Sequence, residues 1–172
     1  MTAAGPDLAR LRDLEGRRRY PWGRRALLVL LAVPVVLGVS GALGQETMTR
    51  SATGPQARLA LDAPSTVRGG LMWRARISVQ ALRTIRHPRL VLAAGYINGM
   101  QMNTIEPSPV GEASRGPQLV FSYDELSAGD ELVVYLQFQT DPTTMGGQDA
   151  TVALDDATTP LARVDHTITV LP

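Results

Sequence analysis

Residues 71–80 read LMWRARISVQ, and from Trp73 onward apolar and polar side chains alternate. The apolar set is Trp73, Ala75, Ile77 and Val79. Successive side chains of a β-strand point to opposite faces, so this period of two places the apolar set on one face. The stretch therefore predicts a β-strand with one buried and one exposed face.

Similar strand-like segments lie on both sides of this stretch. Residues 131–139 are the second clear case, with alternate apolar side chains from Leu132 to Phe138. Asn98-Gly99 favours a hairpin turn between two of the segments. The remaining segments are residues 58–63, 90–97, 100–105, 119–123, 151–155 and 163–171. We predict an all-β, antiparallel β-sandwich of about seven to eight strands for residues 58–172, with a closed barrel as the alternative.

Two patterns in this region resemble bacterial immunoglobulin-like modules. Phe121-x-x-x-x-Leu126-x-x-Gly129-Asp130 precedes an alternating strand, as in the penultimate-strand region of such modules. The VRGG sequence at residues 67–70 looks like their early glycine turn. The inter-sheet cysteine pair of antibody-type domains is missing, since the chain has no cysteine. The resemblance implies an immunoglobulin-like fold and an adhesion, scaffold or accessory role, and it brings no catalytic residues.

A long apolar run lies before the β-rich region. Residues 26–45, ALLVLLAVPVVLGVSGALGQ, carry no formal charge, and as a helix they would be about 30 Å long. They predict one transmembrane helix in which small residues, Gly38, Gly41 and Ala42, form a packing face for another helix. A cleavable signal peptide, cut after residues 42–44, is the alternative. With this segment, the whole chain resembles actinobacterial-type single-pass membrane proteins with one exported immunoglobulin-like domain.

Charge asymmetry predicts the orientation of this segment. Residues 1–25 hold seven Arg against three acidic residues, a net charge of +4. The positive-inside rule places this arginine-rich tail in the cytoplasm and the C-terminal domain outside it. The residues expected to set the orientation and to meet lipid headgroups are Arg17, Arg18, Arg19, Arg24 and Arg25. Residues 46–57 are polar and rich in turn formers, and they predict a linker.

The sequence offers little catalytic chemistry. A chain without cysteine has no disulfides or thiolate sites, and the common nucleotide, metal and hydrolase motifs do not occur. Asp165 and His166 are the only adjacent Asp-His pair, and neighbouring strand residues point to opposite faces. We therefore expect no catalytic residues, no cofactor, no metal and no small-molecule substrate.

The expected function is that of a non-enzymatic, membrane-anchored accessory protein. Its expected partners are the lipid bilayer and a multi-spanning membrane protein, met by the helix and by a loop near the membrane with Arg83, Arg86, His87 and Arg89. Nucleic acid is not an expected partner, because the exported region is slightly acidic. The alternative is a cell-surface binding module for a polysaccharide or another envelope component. That alternative requires an exposed aromatic side chain, whereas Trp73 follows the buried register.

Overall fold

The structure, a computed structural model, describes residues 20–39 and 47–172. The chain divides into two compact units, Met1–Leu43 and Gly44–Pro172. The described part of the first unit is one α-helix, α1 (Tyr20–Val39), with Pro34 inside it. It begins six residues before the predicted membrane segment, and residues 40–45 of that segment lie outside the described residues. No helix described here is both long and apolar enough to cross a membrane.

From Ala26 to Val36 the side chains of α1 are apolar on every side of the helix. Consecutive helical residues point in different directions, so a run of leucine and valine gives no polar face. Between Leu27 and Val36 the large apolar side chains are 49–69% exposed. They are Leu27, Leu28, Val29, Leu30, Leu31, Val33, Val35 and Val36.

The second unit is all-β, as predicted. Its strands are β1 (Thr47–Thr53), β2 (Ala57–Pro64), β3 (Thr66–Arg68), β4 (Met72–Ala81), β5 (Pro88–Leu92), β6 (Met100–Glu106), β7 (Gly111–Arg115), β8 (Gln118–Ser122), β9 (Glu131–Thr140), β10 (Gly146–Asp149), β11 (Val152–Asp156), β12 (Thr159–Val164) and β13 (Thr167–Leu171). One short 3-10 helix spans Ala94–Tyr96. The two clearest predicted strands, at residues 71–80 and 131–139, are confirmed as β4 and β9.

The strands form three sheets around one core. The first sheet has the order β1-β2-β4-β9-β6, the second β12-β11-β5-β8-β7 and the third β10-β13-β3. Every pairing is antiparallel except β13 with β3. All three sheets contribute buried apolar side chains to the core, for example Ile77 and Phe138, Leu90 and Phe121, and Ile168. The predicted β-sandwich is therefore confirmed, and the strands in residues 47–172 outnumber the seven or eight predicted.

Two segments predicted to be irregular contain strands. Residues 46–57, the predicted linker, include β1, which pairs with β2 along its whole length. Residues 106–117, which lie between two predicted strands, include β7, which pairs with β8. Both strands lie at a sheet edge and are almost wholly exposed. Edge strands with two exposed faces need no apolar alternation, so the sequence pattern did not reveal them.

The hairpin predicted at Asn98-Gly99 is wrong. β5 ends at Leu92, and the 3-10 helix follows it. β5 pairs with β8 and β11 in the second sheet, whereas β6 pairs with β9 in the first. The turn therefore carries the chain from one sheet to the other, and Gly99 adopts the positive φ of 72° that the turn requires.

Candidate binding surface

The predicted membrane-proximal loop lies between β4 and β5. Arg83, Arg86 and His87 are exposed, whereas Arg89 at the start of β5 is partly buried. The Arg89 guanidinium donates a 3.1 Å hydrogen bond to the carbonyl of Ala157. Ile85, in the middle of the loop, is fully buried. The buried Ile85 side chain thus packs the loop against the domain. Three of the four predicted contact residues face solvent.

The other predicted site residues lie in or near the helix. Arg24 and Arg25 are exposed on the first turns of α1, and Gly38 lies near its C-terminal end. Arg17, Arg18, Arg19, Gly41 and Ala42 fall outside the described residues. The packing face proposed for Gly38, Gly41 and Ala42 stays a prediction.

Asp165 and His166 point to opposite faces, as predicted. The Asp165 side chain is exposed and accepts a 2.7 Å hydrogen bond from Arg163. His166 is 3% exposed, and its Nε2 lies 3.0 Å from the carbonyl oxygen of Pro64. The imidazole therefore serves the packing of β13 against the end of β2 and cannot act together with Asp165.

One carboxylate is buried on the second sheet. Asp155 on β11 is 7% exposed, and its Oδ2 lies 3.8 Å from the Arg115 guanidinium. Burial raises the pKa of the Asp155 carboxyl, while the positive charges of Arg115 and Arg89 lower it by less. No group of three or more His, Asp or Glu that could hold a metal ion occurs among the described residues. Asp155 is thus a buried acid beside the positive charges of Arg115 and Arg89.

The most elaborate polar surface lies on the outer face of the first sheet. We call it the amide-rich face and define it by the outward side chains of β6, of residues 72–76 of β4 and of residues 135–139 of β9. Tyr135 is 52% exposed between its cross-strand neighbours Arg76 and Glu106. Its members are Met72, Arg74, Arg76, Gln101, Asn103, Thr104, Glu106, Tyr135, Gln137 and Gln139.

Hydrogen bonds across the strands of this face converge on the side chain of Met72. The Met72 sulfur accepts amide hydrogen bonds from Gln137 at 3.5 Å and Asn103 at 3.8 Å. A register shift in β6 between Met102 and Thr104 brings Asn103 to this position. Met72 also pairs with Gln139, which in turn pairs with Gln101. One row across three strands therefore combines an exposed thioether with two amides.

A concavity of about 350 Å³ opens at the end of this row. Gln101 and Gln139 line it from the sheet, and Ile97, Asp141 and Pro142 line it from the loops. Asp141 accepts hydrogen bonds from the Thr143 backbone N–H at 2.8 Å and the Thr143 hydroxyl at 2.6 Å. Both lower the pKa of the Asp141 carboxyl, so the concavity has one firmly ionised acid at its rim.

A second concavity, of about 330 Å³, lies at the start of β4. It is lined by Met72, Trp73 and Arg74 of β4 with Thr47 and Pro64. Trp73 itself is only 3% exposed and belongs to the core, as predicted. Met72 and Arg74 therefore line the second hollow, and Gln139, the cross-strand partner of Met72, lines the first.

None of the site residues predicted from the sequence belongs to this face. The alternation in β4 and β9 identifies Arg74, Arg76, Tyr135 and Gln137 as outward-facing, and this signal was available from residues 71–80 and 131–139. The neighbourhood of the two strands and the approach of Asn103 from β6 depend on pairings between distant segments, which no local pattern specifies.

The comparisons with known proteins concern the fold. No family model matches the sequence, and no curated protein matches it. Among solved structures, the chain is similar to a non-cellulosomal cohesin from the hyperthermophilic archaeon Archaeoglobus fulgidus, with a TM-score of 0.45 and 12% identity over 74% of this chain and 92% of that one. It is likewise similar to CaCohA2 from Clostridium acetobutylicum, with a TM-score of 0.45 and 12% identity over 68% of this chain and 92% of that one.

Proposed function

We propose that this chain is a non-enzymatic, membrane-anchored interaction protein whose helix associates with a multi-spanning membrane protein. The observation that carries the proposal is the apolar surface of α1. Its leucine and valine side chains from Leu27 to Val36 are exposed, which in water is unfavourable by about 25 cal/mol for each Å² of apolar surface. Lipid or other apolar helices would remove that cost.

The sequence around α1 supports the same proposal. The apolar run continues beyond the described helix to Gln45, which gives 20 residues without a charge. Arg24 and Arg25 precede this run directly, with three more arginines at residues 17–19. Cytoplasmic placement of these arginines would leave residues 47–172 on the other side of the membrane.

Small residues near the end of the apolar run favour association with another helix in the membrane. Gly38 and Ala42 are four residues apart, and Gly41 lies between them. Helices in lipid associate through such positions, because small side chains let two backbones approach closely. The accessory role rests on this pattern together with the lack of recognisable catalytic motifs in the sequence.

A pull-down of the full-length protein from its native membrane in mild detergent tests the proposal. The matched variants are a chain whose residues 26–45 are replaced by a foreign membrane helix of equal length, and Gly38→Leu. We expect the wild type to recover a stoichiometric multi-spanning protein that both variants lose. Recovery of no such partner, or its retention after the helix replacement, would contradict the proposal.

A further inference from the structure

We propose that the β-domain, residues 47–172, binds an uncharged polysaccharide along the amide-rich face. This inference does not depend on the helix or on its partner, since every residue that carries it lies in residues 47–172. It arises from four features of that face: its hydrogen-bonding chemistry, its aromatic side chain, its charge balance and its shape.

Four carboxamides give the face its hydrogen-bonding chemistry. Each amide offers two N–H donors and a carbonyl acceptor, so it matches sugar hydroxyl groups, which both donate and accept. They lie on two paired strands, with Gln101 directly opposite Gln139. The four are Gln101, Asn103, Gln137 and Gln139.

Tyr135 is the aromatic member. Its ring is 52% exposed, although the neighbouring Val134 and Leu136 are buried in the core. An exposed tyrosine provides a rigid apolar surface with a polar tip and loses little side-chain entropy on binding. It therefore suits the mixed C–H and hydroxyl surface of a sugar ring.

The spacing along β9 is regular. Tyr135, Gln137 and Gln139 are alternate residues of one strand, so each lies about 7 Å from the next along the same face. The row thus extends over about 14 Å from the aromatic ring to the amide at the concavity. An elongated ligand with repeating units can contact all three positions, whereas a single sugar cannot.

The charges on the outer face of the first sheet balance. Three arginines are matched by three acidic residues on strands β2, β4, β6 and β9, and Arg76 is paired with Asp62 at 3.4 Å. A strongly charged ligand would gain little from such a surface, so a neutral polymer is favoured over an anionic one. The six residues are Arg58, Arg74, Arg76, Asp62, Glu106 and Glu131.

Two concavities shape the surface, and the larger one lies beside two of the amides. Gln101 and Gln139 line the larger one, and Met72 with Arg74 borders the smaller one. Met72 is 58% exposed, so its thioether offers an apolar contact beside the hydrogen-bonding groups. The ligand would lie over Met72 with its end in the larger hollow.

Affinity electrophoresis of the full-length protein in detergent tests the inference. The probes are a soluble β-glucan, a mannan, an arabinan and a xylan as neutral polysaccharides, with alginate as the anionic contrast. The variants are Tyr135→Ala, Tyr135→Phe and Gln139→Ala, and Gln118→Ala on the second sheet is the matched control.

We expect at least one neutral probe to retard the wild type and the control, and alginate to have no such effect. Tyr135→Ala and Gln139→Ala should each weaken this binding about tenfold, while Tyr135→Phe keeps most of it because the ring remains. Equal thermal unfolding of all variants shows that they fold. Absence of binding to every neutral probe, or binding unchanged by Tyr135→Ala and Gln139→Ala, would overturn the inference.

Discussion

The indole N–H of Trp73 donates a 3.2 Å hydrogen bond to the hydroxyl of Thr140, and both side chains are buried. The Trp73 ring also stacks on Phe138 at a centroid distance of 4.7 Å, and Tyr96 lies 5.2 Å from the same Phe138 ring. These contacts join β4, β9 and the 3-10 helix. They secure the end of the first sheet at which the larger concavity opens.

Thr140→Val should destabilise the domain by about 1–3 kcal/mol, because the buried Trp73 indole then lacks an acceptor. The measurement is urea unfolding followed by circular dichroism. Thr167→Val on the exposed side of β13 is the control and should have little effect. In a Trp73→Phe background the Thr140→Val change should cost much less, and an equal cost in both backgrounds would show that the hydrogen bond contributes nothing.

Asp155→Asn should stabilise the domain at neutral pH. Burial raises the pKa of the Asp155 carboxyl above its ordinary value of 3.8, so the folded domain disfavours the ionised form. The favourable contribution of Asp155 is complete below pH 3.8 and is lost as the pH rises through the raised pKa. The melting temperatures of the wild type and the variant, measured from pH 3 to 8, should therefore diverge with rising pH, with the variant higher. Parallel curves would show that the pKa of Asp155 is not raised in the folded domain.

Thr143→Val should raise the pKa of Asp141 toward its ordinary value of 3.8, because the hydroxyl hydrogen bond is removed while the backbone one remains. The wild-type carboxylate contributes stability above pH 3.8, which is lost as the pH falls through the lowered pKa. Carboxyl ¹³C shifts followed by NMR during acid titration give the pKa directly. An unchanged titration of Asp141 would mean that the hydroxyl is not its partner in solution.

Gly99→Ala should be more destabilising than Gly116→Ala. Both glycines have positive φ, 72° and 60°, and an alanine in that conformation costs about 1–2 kcal/mol. A Cβ at Gly99 would also collide with Thr144, whose hydroxyl donates to the Gly99 carbonyl, whereas Gly116 has open space around it. Thermal unfolding compares the stability of the two variants. Equal losses of stability would mean that Thr144 moves away from the new Cβ at no energetic cost.

The parts of the fold that the sequence predicts are those with one buried and one exposed face. Trp73 to Val79 and Leu132 to Phe138 alternate, so β4 and β9 could be located to within one residue. β1 and β7 could not, because edge strands such as TMTRSAT bury neither face. The turn at Asn98-Gly99 was found, but its role was not, because the choice between a hairpin and a crossing to the other sheet depends on the distant partners of β5 and β6.

Part of the candidate surface could be predicted from the sequence. Alternation alone makes Tyr135 outward-facing, and an exposed tyrosine meets the aromatic requirement that the buried Trp73 does not. The approach of Asn103 and Gln137 to the Met72 sulfur could not be predicted, since it depends on the shifted register of β6 against β9. The concavity beside Gln101 could not be predicted either, because strand pairing brings together the loops that line part of it.

The proposal that the chain is anchored in a membrane, with its N-terminal tail in the cytoplasm, is tested most directly by labelling intact cells with a membrane-impermeant maleimide. The natural chain has no cysteine, so a single Ser114→Cys change on exposed β7 and a single Ala3→Cys change in the tail each report one side of the membrane. We predict a protein that stays in the membrane after alkaline carbonate extraction, with label at position 114 in intact cells and at position 3 only after permeabilisation. Release by carbonate, or the reverse labelling pattern, would contradict the account.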